Sequence, residues 1–370
     1  MNEKTRAKVL LVCPDLSLQG GVSSYYRTIR KYLPQDVEFM TVGMREHSES
    51  ILQFAKRMIA DYWRFVFTLI RGKFDLVHLN PSLGKYSVPR EAILVIITKL
   101  LGIRIIVFFR GWDENFEKRL KRWFSWPFVK VYGLADLFVV LGTQFQKSLH
   151  TMGINKPILL ASTIVDDSVF SKYEIEHLLD KRRYAIDFNI IFLSRVEEAK
   201  GIFLALDAFS ILKKIYKKAR LTIVGHGSRY NDAINHCDEW LRKDVIFCGH
   251  LEGEEKYRML SDASCYFLPT YGEGMPNSVL EAMAFGLPVI TRAVGGIKDF
   301  FEDGEMGYVT ESLDPEVFSN LIGMLIENPL RCEEMGRYNR DYSFSHFRAS
   351  KAAEKLLSFY EMVSYRQCNQ

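Results

Sequence analysis

Cysteine is scarce and scattered. The six are Cys13, Cys237, Cys248, Cys265, Cys332 and Cys368, and none forms a C-x-x-C pair. That pattern indicates neither a zinc site nor a disulfide framework, and a thiol in an apolar run acts as a small hydrophobe. There is no Asp-x-Asp and no histidine–carboxylate cluster at ligand spacing, so the sequence predicts chemistry without a metal. Long uncharged apolar runs are also missing. The most apolar stretch, 92–109, is interrupted by Lys99, Gly102 and Arg104, whereas a membrane-spanning helix needs about 20 mostly apolar residues. The opening stretch, Met1 to Lys8, leads into Val9-Leu-Leu-Val-Cys13. This run is too short for a signal peptide, has no cleavage site, and reads as a buried strand. A cytoplasmic location is expected. The formal net charge of +4 is too small to argue for nucleic acid. No short-period repeat or low-complexity tract occurs.

What is present is ordinary in amount and informative in order. The 370 residues are 48% hydrophobic and 25% charged, enough for two domains of usual size. Apolar runs at 9–13, 37–42, 76–79, 104–109, 137–141 and 157–160 read as strands, with helical patterns near 21–33, 51–71, 88–101, 115–133 and 143–152. The alternation resumes with strands at 189–193, 221–224, 245–248, 265–268, 288–291 and 307–309. Continuous apolar strands alternating with helices argue parallel sheets covered on both faces. The fold class expected is α/β, with two Rossmann-like, doubly wound domains. A polar stretch, 162–187, reads as an irregular linker, and 315–363 reads as helical throughout. The boundaries expected are 1–165, 166–345, and a C-terminal helix at 346–370 packing back toward the first domain.

In open parallel sheets, ligands bind beyond the carboxyl ends of the strands. The segment with the most chemistry lies there: Glu273-Gly-Met-Pro-Asn-Ser-Val-Leu-Glu281. A strand runs into a loop and then into a helix starting near Pro276, where proline costs nothing. Asn277, Ser278 and Glu281 share one helical face, while Leu280, Met283 and Ala284 should pack on the sheet. The helix start can hold a phosphate, and Gly274 lets a ligand approach the backbone. Met275 and Pro276 complete the turn. Glu281 is placed to accept two ribose hydroxyls, and Glu273 those of another sugar.

Glu-Gly-x-Pro-Asn followed by Glu at a spacing of eight resembles the E-x7-E signature of the retaining glycosyltransferases of family 4. The resemblance implies a GT-B fold, with two domains facing each other across a cleft. The first would receive the acceptor and the second the nucleotide-sugar donor. The segment Phe192-Leu-Ser-Arg195-Val-Glu-Glu-Ala-Lys200-Gly201 places two cations ahead of a helix beginning at Gly201, where they can neutralise a diphosphate. It is similar to the family's Arg and Lys pair. Alternatively, Glu197 and Glu198 satisfy both cations. Gln19-Gly20-Gly21 follows the first strand and is similar to the family's glycine-rich loop beside the sugar and diphosphate. Gly225-His-Gly227 resembles the turn near the nucleotide. His250 follows the next strand; it either stacks on the base or is a plain loop histidine.

One departure stands out. Where family members often carry a histidine, this sequence has Arg110, in Phe109-Arg110-Gly111-Trp112-Asp113. Arg110 is a permanent cation and cannot act as a base. It either binds a phosphate or acidic sugar, or pairs with Asp113. His78 ends a strand and reads first as a buried structural histidine; otherwise it is, with Arg110 and Asp113, a candidate to meet the acceptor or the donor sugar. The basic, aromatic run 118–130 is either an ordinary amphipathic helix or a contact with anionic lipid at the inner face of the plasma membrane.

The resemblance implies metal-independent, retaining transfer of a hexose-type sugar from a nucleotide diphosphate donor to a hydroxyl of a glycan or lipid-linked acceptor, with cell-surface polysaccharide as the product class. UDP is the favoured nucleotide, and no cofactor is needed. Front-face attack is implied, the leaving phosphate taking the proton. A nucleotide-sugar epimerase and a degenerate binding subunit are the alternatives.

Overall fold

The computed structural model describes residues 7–18, 20–43 and 50–364. Gln19, Cys368, the first six residues and the terminal-helix positions 365–370 lie outside the described residues. The chain divides into two compact units, Met1–Thr163 with Ala349–Gln370, and Ile164–Arg348.

The first unit contains β1 (Val9–Cys13), β2 (Val37–Thr41), β3 (Leu76–Leu79), β4 (Ser82–Leu83), β5 (Arg104–Phe108), β6 (Gly111–Trp112), β7 (Leu137–Val140) and β8 (Ile158–Leu160). Six of them form one sheet in the order β2-β1-β3-β5-β7-β8, while β4 pairs with β6. Every pairing is parallel, with Leu11 opposite His78 and Val77 opposite Ile105. β1, β3 and β7 are buried at every position, as expected of strands covered on both faces.

The second unit contains β9 (Phe188–Leu193), β10 (Ala219–Val224), β11 (Val245–Gly249), β12 (Cys265–Leu268), β13 (Val289–Arg292) and β14 (Gly307–Thr310). They form a second parallel sheet, in the order β11-β10-β9-β12-β13-β14. Its core joins Ile190, Phe192, Leu221, Ile223, Phe267 and Ile290 to buried residues of the flanking helices.

The expected linker is a structured part of the second unit. Helices Asp167–Lys172 and Ile175–Arg183 occupy it. Asp166 caps the first by accepting from the Ser168 amide at 2.9 Å. The second carries Leu178 and Leu179 inward and is pinned by Arg182, which donates to the carbonyls of Ala263 at 2.7 Å and of Phe285 and Gly286 at 2.8 Å. Burial lowers the Arg182 guanidinium to about 9. A docking helix held by a buried cation looks like solvated chain when read by hydropathy alone.

The tail is helical throughout, as three helices: Pro315–Glu327, Pro329–His346 and Ala349–Ser364. At the first break, the Asn328 side chain accepts from the Arg331 amide at 3.2 Å and starts the next helix. The unit boundaries fall two and three residues from those expected. Val165 donates to the Phe347 carbonyl at 2.8 Å and bridges Arg348, which ties both crossing strands of chain to the second unit.

Candidate active site

In the second sheet the chain leaves β9 toward β10 and β11, then returns to β12 on the other side of β9. Loops diverge at such a reversal and open a crevice at the carboxyl edge. The loops after β9 and β12 carry Arg195–Gly201 and Pro269–Pro276. They are stitched together: the Tyr271 amide and Thr270 hydroxyl donate to the Ala199 carbonyl at 3.0 and 3.1 Å. Gly201 ends the first loop at φ +75, and a Cβ there would lie well inside contact distance of the Pro269 carbonyl oxygen. Only glycine fits both demands. The helix proper begins at Ile202, one residue later than the sequence suggests.

This stitching brings Lys200 Nζ to Glu273 Oε1 at 2.6 Å, with side chains only 15% and 10% exposed. A third loop, after β13, supports Glu273 from behind. The Gly296 amide donates to the Gly274 carbonyl at 2.6 Å, and Gly295, at φ +57, leaves no room for a Cβ against the Glu273 carbonyl. Arg292 ties the same loops together, donating to the carbonyls of Thr270, Glu311 and Ser312 at 2.9 to 3.2 Å.

The helix Asn277–Ala284 starts from Pro276, its N-cap. Val279, Leu280, Ala282, Met283 and Ala284 are buried. Asn277, Ser278 and Glu281 are half-buried on the other side, and Ser278 accepts from the buried Tyr266 hydroxyl at 2.7 Å. Glu281 Oε1 meets Lys256 Nζ at 2.6 Å. Lys256, on the helix Gly253–Asp262, was not singled out by sequence reasoning. Neither were Gly295 and Arg292, because no local spacing marks a partner 20 or more residues away.

Arg195 stands apart from the Lys200–Glu273 pair. It is mostly exposed and bonds Glu197 Oε1 at 2.7 Å. Glu198 faces Arg229 at 3.6 Å. Thus the loop carboxylates take Arg195 and leave Lys200 to Glu273. Gly225 and Gly227 press against the Arg195 loop, where any Cβ would collide with the carbonyls of Ser194 and Val196. His250 extends from the turn after β11, with Nε2 3.2 Å from Glu252 Oε1.

In the first unit, Gly20 and Gly21 follow β1 and open the helix Gly21–Ile29. A Cβ at Gly20 would meet nothing within 4 Å, although its φ of +149 favours glycine. The Arg110 guanidinium lies 3.7 Å over the Tyr25 ring and 4.6 Å over Phe108. Its Nε and Nη1 are buried without a hydrogen-bond partner among the described residues. Of the two uses open to Arg110, pairing with Asp113 is not seen among the described residues. Asp113 instead caps the helix Glu114–Arg119, accepting from the amides of Asn115 and Phe116 at 2.9 and 3.0 Å. Asp113 leads directly into that helix, so capping satisfies local amides at no cost in chain geometry.

His78 is fully buried, stacked 6.0 Å from Phe108, with Nδ1 2.7 Å from the Tyr360 hydroxyl. Its Nε2 has no partner. Burial, assisted by the Arg110 charge, pushes the imidazole down to about 3, so it is neutral at pH 7. Within 118–130, Leu120–Phe124 is a π-helical turn that leaves Trp123, Phe124 and Trp126 exposed.

Among the described residues, no group of three or more His, Cys, Asp or Glu side chains is placed to hold a metal ion. The described cysteines are free, and burial raises the thiols of Cys13 and Cys332 to about 12.

Residues 180–342 match the family described as glycosyl transferases group 1. N-acetyl-alpha-D-glucosaminyl L-malate synthase of Bacillus anthracis is 26% identical over 306 residues, covering 80% of this chain and 75% of that protein. The capsular polysaccharide biosynthesis glycosyltransferase CapM of Staphylococcus aureus is 24% identical over 197 residues, 52% of this chain and about half (51%) of CapM. Among solved structures, HepE of Anabaena, in complex with UDP-glucose, superposes with a TM-score of 0.74 at 14% identity, covering 96% of this chain and 100% of that one. At that identity the likeness speaks for the fold, which is GT-B.

Proposed function

We propose that this chain, which belongs to the glycosyl transferases group 1, moves a hexose-type sugar from a nucleotide diphosphate donor to an acceptor hydroxyl with retention of configuration. The observation that carries the reading is the Lys200–Glu273 pair at the point where the second sheet reverses. A cation and a carboxylate held side by side there can serve the two halves of one donor. Lys200 takes the diphosphate, and Glu273 accepts hydrogen bonds from sugar hydroxyls. The amides around Met275–Asn277 and the start of their helix add positive potential. Arg195, at the loop surface, adds a second cation by exchanging Glu197 for phosphate. Glu281 accepts from the ribose while Lys256 holds its carboxylate in place. The Gly225 turn and His250 border the nucleotide.

In the step itself, the bond from the anomeric carbon to the leaving phosphate oxygen breaks and a bond to the acceptor oxygen forms on the same face. The acceptor's proton passes to the leaving phosphate. Charge grows on the diphosphate as this happens. A fixed donor at such a position is worth about 100- to 1,000-fold in rate.

Arg110, buried with no carboxylate beside it among the described residues, supports a phosphate or acidic group on the sugar or acceptor, because a buried cation without a counter-charge is costly. Asp113 takes no substrate role in this reading, and neutral His78 supports the wall beside Arg110. UDP is the favoured nucleotide, since HepE is a structural neighbour and its structure holds UDP-glucose. The acceptor is a glycan or lipid-linked precursor of a cell-surface polysaccharide, the product class for which CapM is named. The reaction runs without a metal, in the cytoplasm, with 118–130 touching the inner face of the plasma membrane.

The test is a thermal-shift screen of nucleotides and nucleotide sugars, followed by turnover with excess chelator. A true donor at a hundredfold excess over its Kd adds about 2.7 kcal/mol. UDP and UDP-sugars should stabilise, and chelator should leave transfer unchanged. No stabilisation by any nucleotide, donor interconversion without acceptor, or strict dependence on a divalent ion would each refute part of the reading.

A further inference from the structure

The helix Ile51–Gly72 is apolar on two sides. Met58, Phe65 and Leu69 are buried in the first unit. A second stripe, Leu52, Ile59, Trp63, Phe67 and Ile70, is 53–72% exposed. At about 100° per residue the two stripes stand roughly 130° apart, so one packing interface cannot use both. The neighbouring helix Ser87–Leu100, joined to the first by the Tyr62 hydroxyl donating to the Arg90 carbonyl at 3.3 Å, exposes Ile93, Ile96 and Leu100. It in turn receives the Tyr132 hydroxyl on the Val88 carbonyl at 2.8 Å. Tyr132 ends the helix Ser125–Tyr132, which carries the exposed Trp126 and follows the turn bearing Trp123 and Phe124. Exposed apolar side chains thus recur across three adjoining segments, far beyond the scattered singles that need no explanation.

On Ile51–Gly72, Ser87–Leu100 and the stretch 120–132 the charge that meets solvent is positive. Lys56, Arg64, Arg71, Lys99, Lys121 and Arg122 are exposed. The acids mostly turn inward: Asp61 is buried between Arg57 and Arg64, and Glu91 is buried against Arg90. Glu117 is held by Trp112, Ser148 and Lys121. Arg71 lies 3.9 Å over the exposed Phe67 ring, and Arg122 5.0 Å over Trp123, so cation and aromatic share the same outward positions. No described helix is long and apolar enough to cross a membrane. An apolar stripe with tryptophans, flanked by cations, on a helix that cannot span is the pattern of a helix lying in the headgroup layer.

We propose that this face of the first unit, centred on the Trp63 stripe and continued by Ile93–Leu100 and Trp123–Trp126, docks on an anionic lipid bilayer. This widens the contact given to 118–130 above and rests on none of the transfer chemistry. Charge complementarity selects the occupant. A second copy of the chain would set like charges against each other, and a neutral bilayer would leave the cations without a role.

The experiment is co-sedimentation of the full chain with vesicles of phosphatidylcholine and phosphatidylglycerol in equal parts, and with phosphatidylcholine alone. Each cation at an anionic surface contributes about fivefold at low salt, so binding to mixed vesicles should be at least about tenfold tighter and should weaken with salt. Trp63→Glu with Phe67→Glu should lower binding at least about tenfold, because charges are costly at that depth. The same should hold for the milder Trp63→Ala with Phe67→Ala. Both pairs should keep the parent unfolding temperature and the parent's stabilisation by nucleotide, which separates this proposal from that of the donor site. Equal binding to both vesicles, no binding to either, or a concentration-dependent dimer abolished by the same substitutions would overturn it.

Discussion

Breaking the Lys200–Glu273 pair from either end should cost stability, and breaking it from both ends should not, although activity is lost every time. The side chains are 15% and 10% exposed at 2.6 Å. Removing one partner from a buried pair costs about 3–5 kcal/mol, because the other charge is left without compensation. Partial solvent access puts this pair at the low end, about 2–3 kcal/mol. For a unit of this size each kcal/mol moves the midpoint by about 2–4 °C, so Lys200→Met and Glu273→Gln should each lower it by roughly 5–10 °C. The double variant loses both charges together and should recover most of that, giving a coupling energy of about 2 kcal/mol or more. Transfer behaves differently. Each single variant should lose at least about tenfold in kcat/KM, and the double should remain as inactive as the worse single. The assays are calorimetry of the four proteins and initial rates with a donor identified by thermal shift. Additive destabilisation would deny the pair. Activity restored along with stability in the double variant would show that the residues hold the loop without serving the donor.

The remaining expectations concern single positions. Gly295→Ala should displace the Glu273 loop and depress transfer more than stability, whereas Gly253→Ala, equally left-handed at φ +55 but with nothing within 4 Å of its Cβ, should cost only about 1 kcal/mol in unfolding and leave transfer unchanged. His78, held down to about 3 by burial, supports the fold fully above its unfolded value near 6.5 and loses that support as pH falls toward 3. At pH 5 the loss is about 2 kcal/mol, and urea unfolding of His78→Gln at pH 5 and 7 should show a shallower acid loss than the parent. Arg110→Met should hold or raise the unfolding temperature, since the buried cation lacks a partner at Nε and Nη1. It should also reduce transfer, and an unchanged rate would remove Arg110 from substrate recognition.

Both sheets are legible in the sequence because their strands are short, continuously apolar runs, and because a parallel strand covered twice tolerates little else. The loop after β12 is legible for a different reason: Glu273, Pro276, Asn277 and Glu281 lie within one loop and two helical turns, so their spacing is itself the geometry. Lys256 and Gly295 reach that loop only through tertiary packing, and nothing in their own neighbourhoods announces it. Arg182 shows the same effect in the core, where a charged residue clamps three carbonyls that the sequence places about a hundred positions away. The sequence offered Asp113 to Arg110 and did not show that it caps the next helix, where two amides are within reach. The outward stripe on Ile51–Gly72 could not be told from core by periodicity, since a helix with two apolar sides reads simply as hydrophobic.

The first unit is not finished until the last helix is made. Ala349–Ser364 lies in it, with Tyr360 closing over His78, while the whole second unit intervenes. At roughly 5–20 residues per second the ribosome takes about 10–40 s to traverse that interval. During that time the half synthesised first waits with an open seam, and the half synthesised second, being continuous in sequence, can complete itself. The order of birth and the order of completion are therefore reversed. A stall or nick late in the message leaves an intact second unit attached to an unsealed first unit, the kind of product that chaperones and proteases would meet first.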